Sequence, residues 1–142
     1  MNPLRRSWRS VAHVKMLLPA VCVALTAAAA AGAALAPPDL VGSWTRTVSA
    51  KDIARAHAKQ IAAGTTWTLA IGSTKSSVRS PHVATYTGTV VPAGPTLIHI
   101  ELGGDSSDLY AWRRVGATLI LTKQHDPIAN RAAILVGTWK HR

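Results

Sequence analysis

Beyond residue 64 the apolar and polar positions alternate with a period of two: Trp67, Leu69 and Ile71 stand against Thr66, Thr68 and Ala70, and Ile98, Ile100 and Leu102 stand against Leu97, His99 and Glu101. Alternation of this kind marks strands with one buried face. Runs rich in β-branched residues and tryptophan predict strands over Leu40–Val48, Thr65–Ile71, His82–Val91, Thr96–Leu102 and Leu135–His141, with Leu109–Val115 and Ala117–Lys123 pairing as a hairpin around Gly116. Ser73–Pro81 reads as a polar, basic loop, Pro92-Ala93-Gly94-Pro95 as a turn and Gly103–Asp108 as a break. The count is seven strands, or eight if the long Ser73–Val91 stretch is split. Helical signals appear twice. Ser49 with Asp52 three residues later forms a cap, and Ala50–Ala62 is alanine-rich with Gly64 beyond it. Its stripe of Ile53, His57 and Ile61 is too small to hold a membrane and suits covering a barrel mouth or edge. Pro127–Ile134 can wind one or two further turns. The pattern predicts an all-β protein: a small antiparallel up-and-down β-barrel of seven or eight strands, with one short helix after the first strand and a helical turn before the last.

The first and last predicted strands carry nearly the same words, Leu40-Val41-Gly42-Ser43-Trp44 and Leu135-Val136-Gly137-Thr138-Trp139. A glycine two residues before a tryptophan lets the backbone pass close to a neighbour while the indole turns into the core. Two such strands side by side would close one barrel.

Residues 1–36 are set apart by their composition. Arg5, Arg6, Arg9 and Lys15 precede an uncharged run, Met16–Ala36, that ends in small residues, the layout of a secretory signal; an uncleaved anchor is the alternative. Ala34-Leu35-Ala36 and Ala31-Gly32-Ala33 both fit the cleavage pattern. The residues before Cys22 do not suit lipidation, and Arg5-Arg6 lacks the two apolar residues that should follow in a twin-arginine signal. The expectation is a secreted or otherwise extracytoplasmic protein, with residues 37–142 as one domain. That domain holds twelve Lys and Arg against six acids, so its charge is +6 where the whole chain has +10. It has no cysteine, so packing and closed strand pairing must hold it without disulfides. With no phenylalanine, Trp44, Trp67, Trp112, Trp139, Tyr86 and Tyr110 must supply the large core volumes.

Gly42-Ser43-Trp44 on the first strand, the helix directly after it, and Arg131 in the helical turn before the last strand make the chain resemble the calycins, the group of lipocalins and fatty-acid-binding proteins. Gly64-Thr65-Thr66-Trp67-Thr68-Leu69, Tyr110-Ala111-Trp112, Asp126 and Gly137-Thr138-Trp139 resemble small exported lipocalin-like proteins of bacteria. The resemblance implies a structural motif of Gly42, Trp44, Arg131, Gly137 and Trp139, with Arg131 or Lys140 stacked over Trp44. It also implies a carrier or sensor for a small apolar or amphiphilic molecule. Fatty-acid-binding proteins hold a carboxylate with an Arg-x-Tyr pair near the end; Trp139-Lys140-His141 stands here instead, so capture by that device is not expected.

The candidate ligand residues are the inward positions Trp67, Leu69, Ile98, Ile100, Trp112, Leu119 and Leu121. In a barrel this small the same side chains can simply fill the interior. A solid barrel would leave the basic residues Lys75, Arg79, Arg113, Arg114 and Lys123 as an interaction patch for an anionic envelope surface, or as ordinary solvated charge. No enzyme is expected. His99 and Glu101 share a strand face and His125-Asp126 lies in a later loop, but paired polar residues on one face are commonly solvated, and Gly-x-Ser-x-Gly is absent. The histidines lack metal-ligand spacing, and Asp105 and Asp108 fall short of a calcium loop, so neither metal nor cofactor is expected. No groove-reading motif points to nucleic acid.

Overall fold

The computed structural model describes residues 34–105 and 107–142. The predicted leader lies outside them apart from its last three residues. Eight strands form one closed barrel: β1 (Gly42–Thr47), β2 (Thr66–Ile71), β3 (Lys75–Ser80), β4 (Val83–Gly94), β5 (Leu97–Leu102), β6 (Leu109–Val115), β7 (Thr118–His125) and β8 (Gly137–His141). Each pairs antiparallel with the next, and β8 returns to β1 through Trp44 opposite His141 and Thr45 opposite Lys140. Closure gives every strand two neighbours, which suits a domain without disulfides. α1 (Ala50–Ala56) follows β1 and α2 (Ala129–Leu135) precedes β8.

Three expectations are corrected. The stretch read as a loop over Ser73–Pro81 contains β3, whose inward positions Ser76 and Val78 are buried while Lys75 and Arg79 point out. Pro92–Gly94 extends β4 rather than turning, and the turn itself is Pro95-Thr96. The first helix is also shorter than the alanine-rich run. Ser49 and Asp52 form the expected capping box, but His57 adopts a left-handed conformation (φ 55°) and ends the helix there.

The core is the barrel interior. Trp44, Trp67, Trp139, Tyr110, Leu69, Ile98, Ile100, Leu119 and Leu121 are all essentially without solvent contact. β1 runs away from one end of the barrel and β8 runs back toward it, so the two Leu-Val-Gly-x-Trp motifs sit at opposite ends. Each glycine has a φ that only glycine adopts readily, 152° at Gly42 and 141° at Gly137. Each indole N–H then donates to the carbonyl of the leucine four residues before it, Trp44 to Leu40 and Trp139 to Leu135, both at 2.9 Å. The echo in the sequence is an echo in structure.

One end is closed by the segment before β1. Ala36 is buried and its N–H donates to the Ser73 carbonyl at 2.7 Å, a turn joins Pro37 to Leu40, and Leu40 packs into the core. The other end carries both helices and the loops after β3, β5 and β7.

Candidate functional site

At the helical end the barrel wall is incomplete. β5 and β6 pair only through Leu97 with Ala111 and Ile98 with Tyr110; above that point the Asp108 carboxylate takes the place of a strand and accepts the Ile100 N–H at 2.7 Å. The first half of β4 also stands proud: Tyr86 lies opposite the buried Val78 on the inner face yet is 45% exposed. A cavity of about 360 Å³ occupies this region. Val78, Leu102 and Ile134 are its buried walls, while Val83, Tyr86 and Ile128 are exposed apolar groups at its lip. Gln60, Asn130, Asp105 and Arg131 supply the polar part, and Ile61 completes the apolar side.

Three separate chain segments are tied together around it. Asn130 accepts the backbone N–H groups of Lys59 (3.2 Å) and Gln60 (3.4 Å) and donates to the Gln60 side chain at 2.9 Å, fixing the segment after α1 onto α2. Arg131, only 5% exposed, makes a two-pronged pair with Asp126, Nε to Oδ2 at 3.1 Å and Nη2 to Oδ1 at 2.9 Å, and its Nη1 donates to the Asp105 carbonyl at 3.2 Å. The Tyr110 hydroxyl donates to the same Asp126 carboxylate. Burial raises the Tyr110 phenol, and the Asp126 hydrogen bond and charge raise it further, so it stays a donor. Burial alone would lower the Arg131 guanidinium, but the hydrogen bond and charge of Asp126 outweigh it and the net shift is upward. Asp108 goes the other way. Burial lifts its carboxyl above the ordinary range, and its Oδ1 has no hydrogen-bond partner. His99 Nδ1 faces the Asp108 backbone carbonyl.

The sequence-derived candidates fall into place unevenly. Trp67, Leu69, Ile98, Ile100, Leu119 and Leu121 are buried core side chains, and Trp112 packs against that core half-buried. None of the seven is among the residues that line the cavity. The indole N–H groups of Trp67 and Trp112 are buried without a partner, unlike those of Trp44 and Trp139. Arg131 does not cover Trp44, and Lys140 is exposed. The cation over Trp44 is Arg114, whose guanidinium carbon lies 5.4 Å from the ring centroid, because β6 ends at the closed end whereas Arg131 sits in α2 at the other. Arg46 stands over Trp139 in the same way at 5.6 Å. The five basic residues expected as one patch are dispersed: Arg114 reaches the Asp39 carbonyl beneath the barrel, Lys75 and Arg79 lie on β3, Arg113 on β6 and Lys123 on β7. Glu101 accepts from Thr89 at 2.5 Å, and Asp126 is committed to Arg131 and Tyr110. Among the described residues no group of three His, Cys, Asp or Glu could hold a metal ion.

No family model, curated protein or solved structure matches this chain. Its architecture, an eight-stranded antiparallel up-and-down barrel with a helix after the first strand, is compatible with a calycin-like fold. The cavity residues escaped the sequence reading because they come from six separated stretches, the segment after α1, β3, β4, β5, the loop after β5, and α2 with the residues before it. Only the exposed apolar Val83, Tyr86 and Ile128 could have signalled it, and single exposed apolar residues are ordinary.

Proposed function

We propose that this is an exported, lipocalin-like, non-enzymatic protein that binds a small apolar or amphiphilic molecule at the helical mouth of its barrel, as a carrier or sensor outside the cytoplasm. The observation that carries the reading is the cavity itself: about 360 Å³, walled by Val78, Leu102 and Ile134, lipped by Val83, Tyr86 and Ile128, with its polar groups gathered on one side. Small-molecule sites share that design, an apolar pocket of a few hundred Å³ with a few fixed polar groups. The rest of the barrel supports it as a rigid frame, since its interior is filled by tryptophan and aliphatic side chains. Export rests on the signal-like composition of residues 1–36.

A second reading, an envelope interaction module with a basic surface, draws on a different observation. Across β8, β1, β2 and β3 the register aligns Lys140, Thr45, Thr68 and Arg79 in one row, with Arg142 bordering the same face as Arg79. Titration with a neutral apolar fluorescent probe at low and high salt separates the two. Burial of apolar surface holds or strengthens as salt rises, whereas attraction between exposed charges is screened. Binding at micromolar levels that survives high salt, weakens about tenfold in Tyr86→Ala and is unchanged in Arg79→Ala supports the carrier. Absence of binding, or its loss with salt, moves the assignment to the surface module.

A further inference from the structure

We propose that the mouth cavity selects amphiphiles whose head group is an uncharged or cationic hydrogen-bond donor, and disfavours carboxylates; this rests on the carrier reading above. Among the described residues lining the cavity Arg131 is the only cation, and it is already paired: Asp126 takes its Nε and one Nη2 donor, and the Asp105 backbone takes one Nη1 donor. A guanidinium has five N–H donors in a fixed fork, so three of them are committed within the protein. Lys59 precedes Gln60 in the chain, but it is exposed and does not line the cavity.

Asp126, which does not line the cavity, pairs with Arg131, and Asp105 is the acid among the described lining residues, 39% exposed at the rim. Its Oδ1 is occupied by the Ser107 N–H at 2.8 Å and hydroxyl at 2.5 Å, which hold the carboxyl below its ordinary range and therefore ionised. Its Oδ2 lies 3.9 Å from Arg131 Nη1, beyond a hydrogen bond, and is the acceptor available to an incoming donor. Asp108, buried behind the same loop, adds no positive charge. An anionic head group seated beside Asp105 would meet a like charge beside a cation already paired with Asp126, while a hydroxyl, amide or ammonium would find an acceptor. Gln60 and Asn130 offer amide groups to the same heads, and these carry no charge. The overall positive charge of the chain does not reverse this, because charges more than a Debye length away, about 8 Å at physiological salt, are largely screened and the nearest groups decide.

Competition of decanol, decylamine and decanoate against a bound neutral fluorescent probe, at neutral pH and physiological ionic strength, tests the proposal with one chain and three heads. The expected order places the alcohol and the amine about tenfold or more ahead of the carboxylate, the size of effect that one nearby charge produces at an intermediate dielectric. Asp105→Asn, in an exposed loop, should narrow the gap between amine and carboxylate severalfold. Decanoate binding as tightly as decanol, or a gap unmoved by Asp105→Asn, overturns the charge preference while leaving the carrier intact. Failure of all three to compete, with no probe bound, overturns the carrier reading and the preference with it.

Discussion

The two ends of the barrel are built from the same five-residue motif and put to different uses. At the closed end, Leu40-Val41-Gly42-Ser43-Trp44 is covered by Arg114, which is exposed, donates to the carbonyls of Asp39 and Gly116, and shares the indole with His141, whose ring meets it edge-on at 4.9 Å. At the helical end, Leu135-Val136-Gly137-Thr138-Trp139 is covered by Arg46, which is 8% exposed and donates to the carbonyls of Ile134 and Val136 and to Asp52 at 2.7 Å. Asp52 in turn caps α1 and pairs with Arg55 at 2.6 Å. Burial pulls the Arg46 guanidinium down and Asp52 pulls it back. The Asp52 carboxyl, which burial alone would raise, is brought below its usual range by the Ser49 hydrogen bonds and the two arginines. One motif thus seals a floor with a surface cation; the other uses a buried cation to bind two helices to the barrel beside an open mouth. The end that carries the cavity also has the denser polar network, since apolar filling alone does not hold that end together.

If the two tryptophans are equivalent anchors, Trp44→Ala and Trp139→Ala should each cost about 3 to 5 kcal/mol in chemical denaturation, as large aromatic deletions in cores do. A variant at either end unfolding like the wild type would break the equivalence. The covering arginines should then divide the ends. Arg46→Ala, which leaves buried carbonyls and Asp52 without their shared donor, should cost about 2 to 4 kcal/mol, against about 0.5 to 1 kcal/mol for Arg114→Ala. Glycine substitutions should follow the same order: a Cβ on Gly137 would fall 2.7 Å from the immobilised Arg46 guanidinium, whereas one on Gly42 would meet the exposed His141 side chain at 3.0 Å. Equal losses for the two arginines would show that burial at the helical end adds nothing.

Most of the barrel was legible in the residues. β2 and β5 announced themselves by alternation with large inward side chains, the Ser49–Asp52 cap by its spacing, and the barrel seam by the repeated glycine and tryptophan. β3 was not, because its inward positions are the small Ser76, Val78 and Ser80, which give no hydrophobic period to read. The end of β4 was hidden by Pro92 and Gly94, residues that ordinarily stop a strand but here sit where the register with β5 shifts. A basic residue does cover Trp44, but it is Arg114 rather than Arg131 or Lys140: sequence order does not tell which end of a barrel a late arginine reaches, and Lys140, opposite Thr45, is exposed. The cavity was beyond sequence reasoning. It exists only where β4 rises past its neighbours and β5 parts from β6, and each lining side chain taken alone resembles core or surface.

The central claim, that the mouth binds and the floor does not, is tested most directly by mapping a neutral apolar probe onto the protein by NMR. The account predicts that the largest shift changes fall on Val83, Leu102, Ile128 and Ile134, with Leu40 and Ile71 at the closed end unmoved. Largest changes at the closed end, or spread along the outer face at Thr68, Arg79 and Lys140, would contradict it.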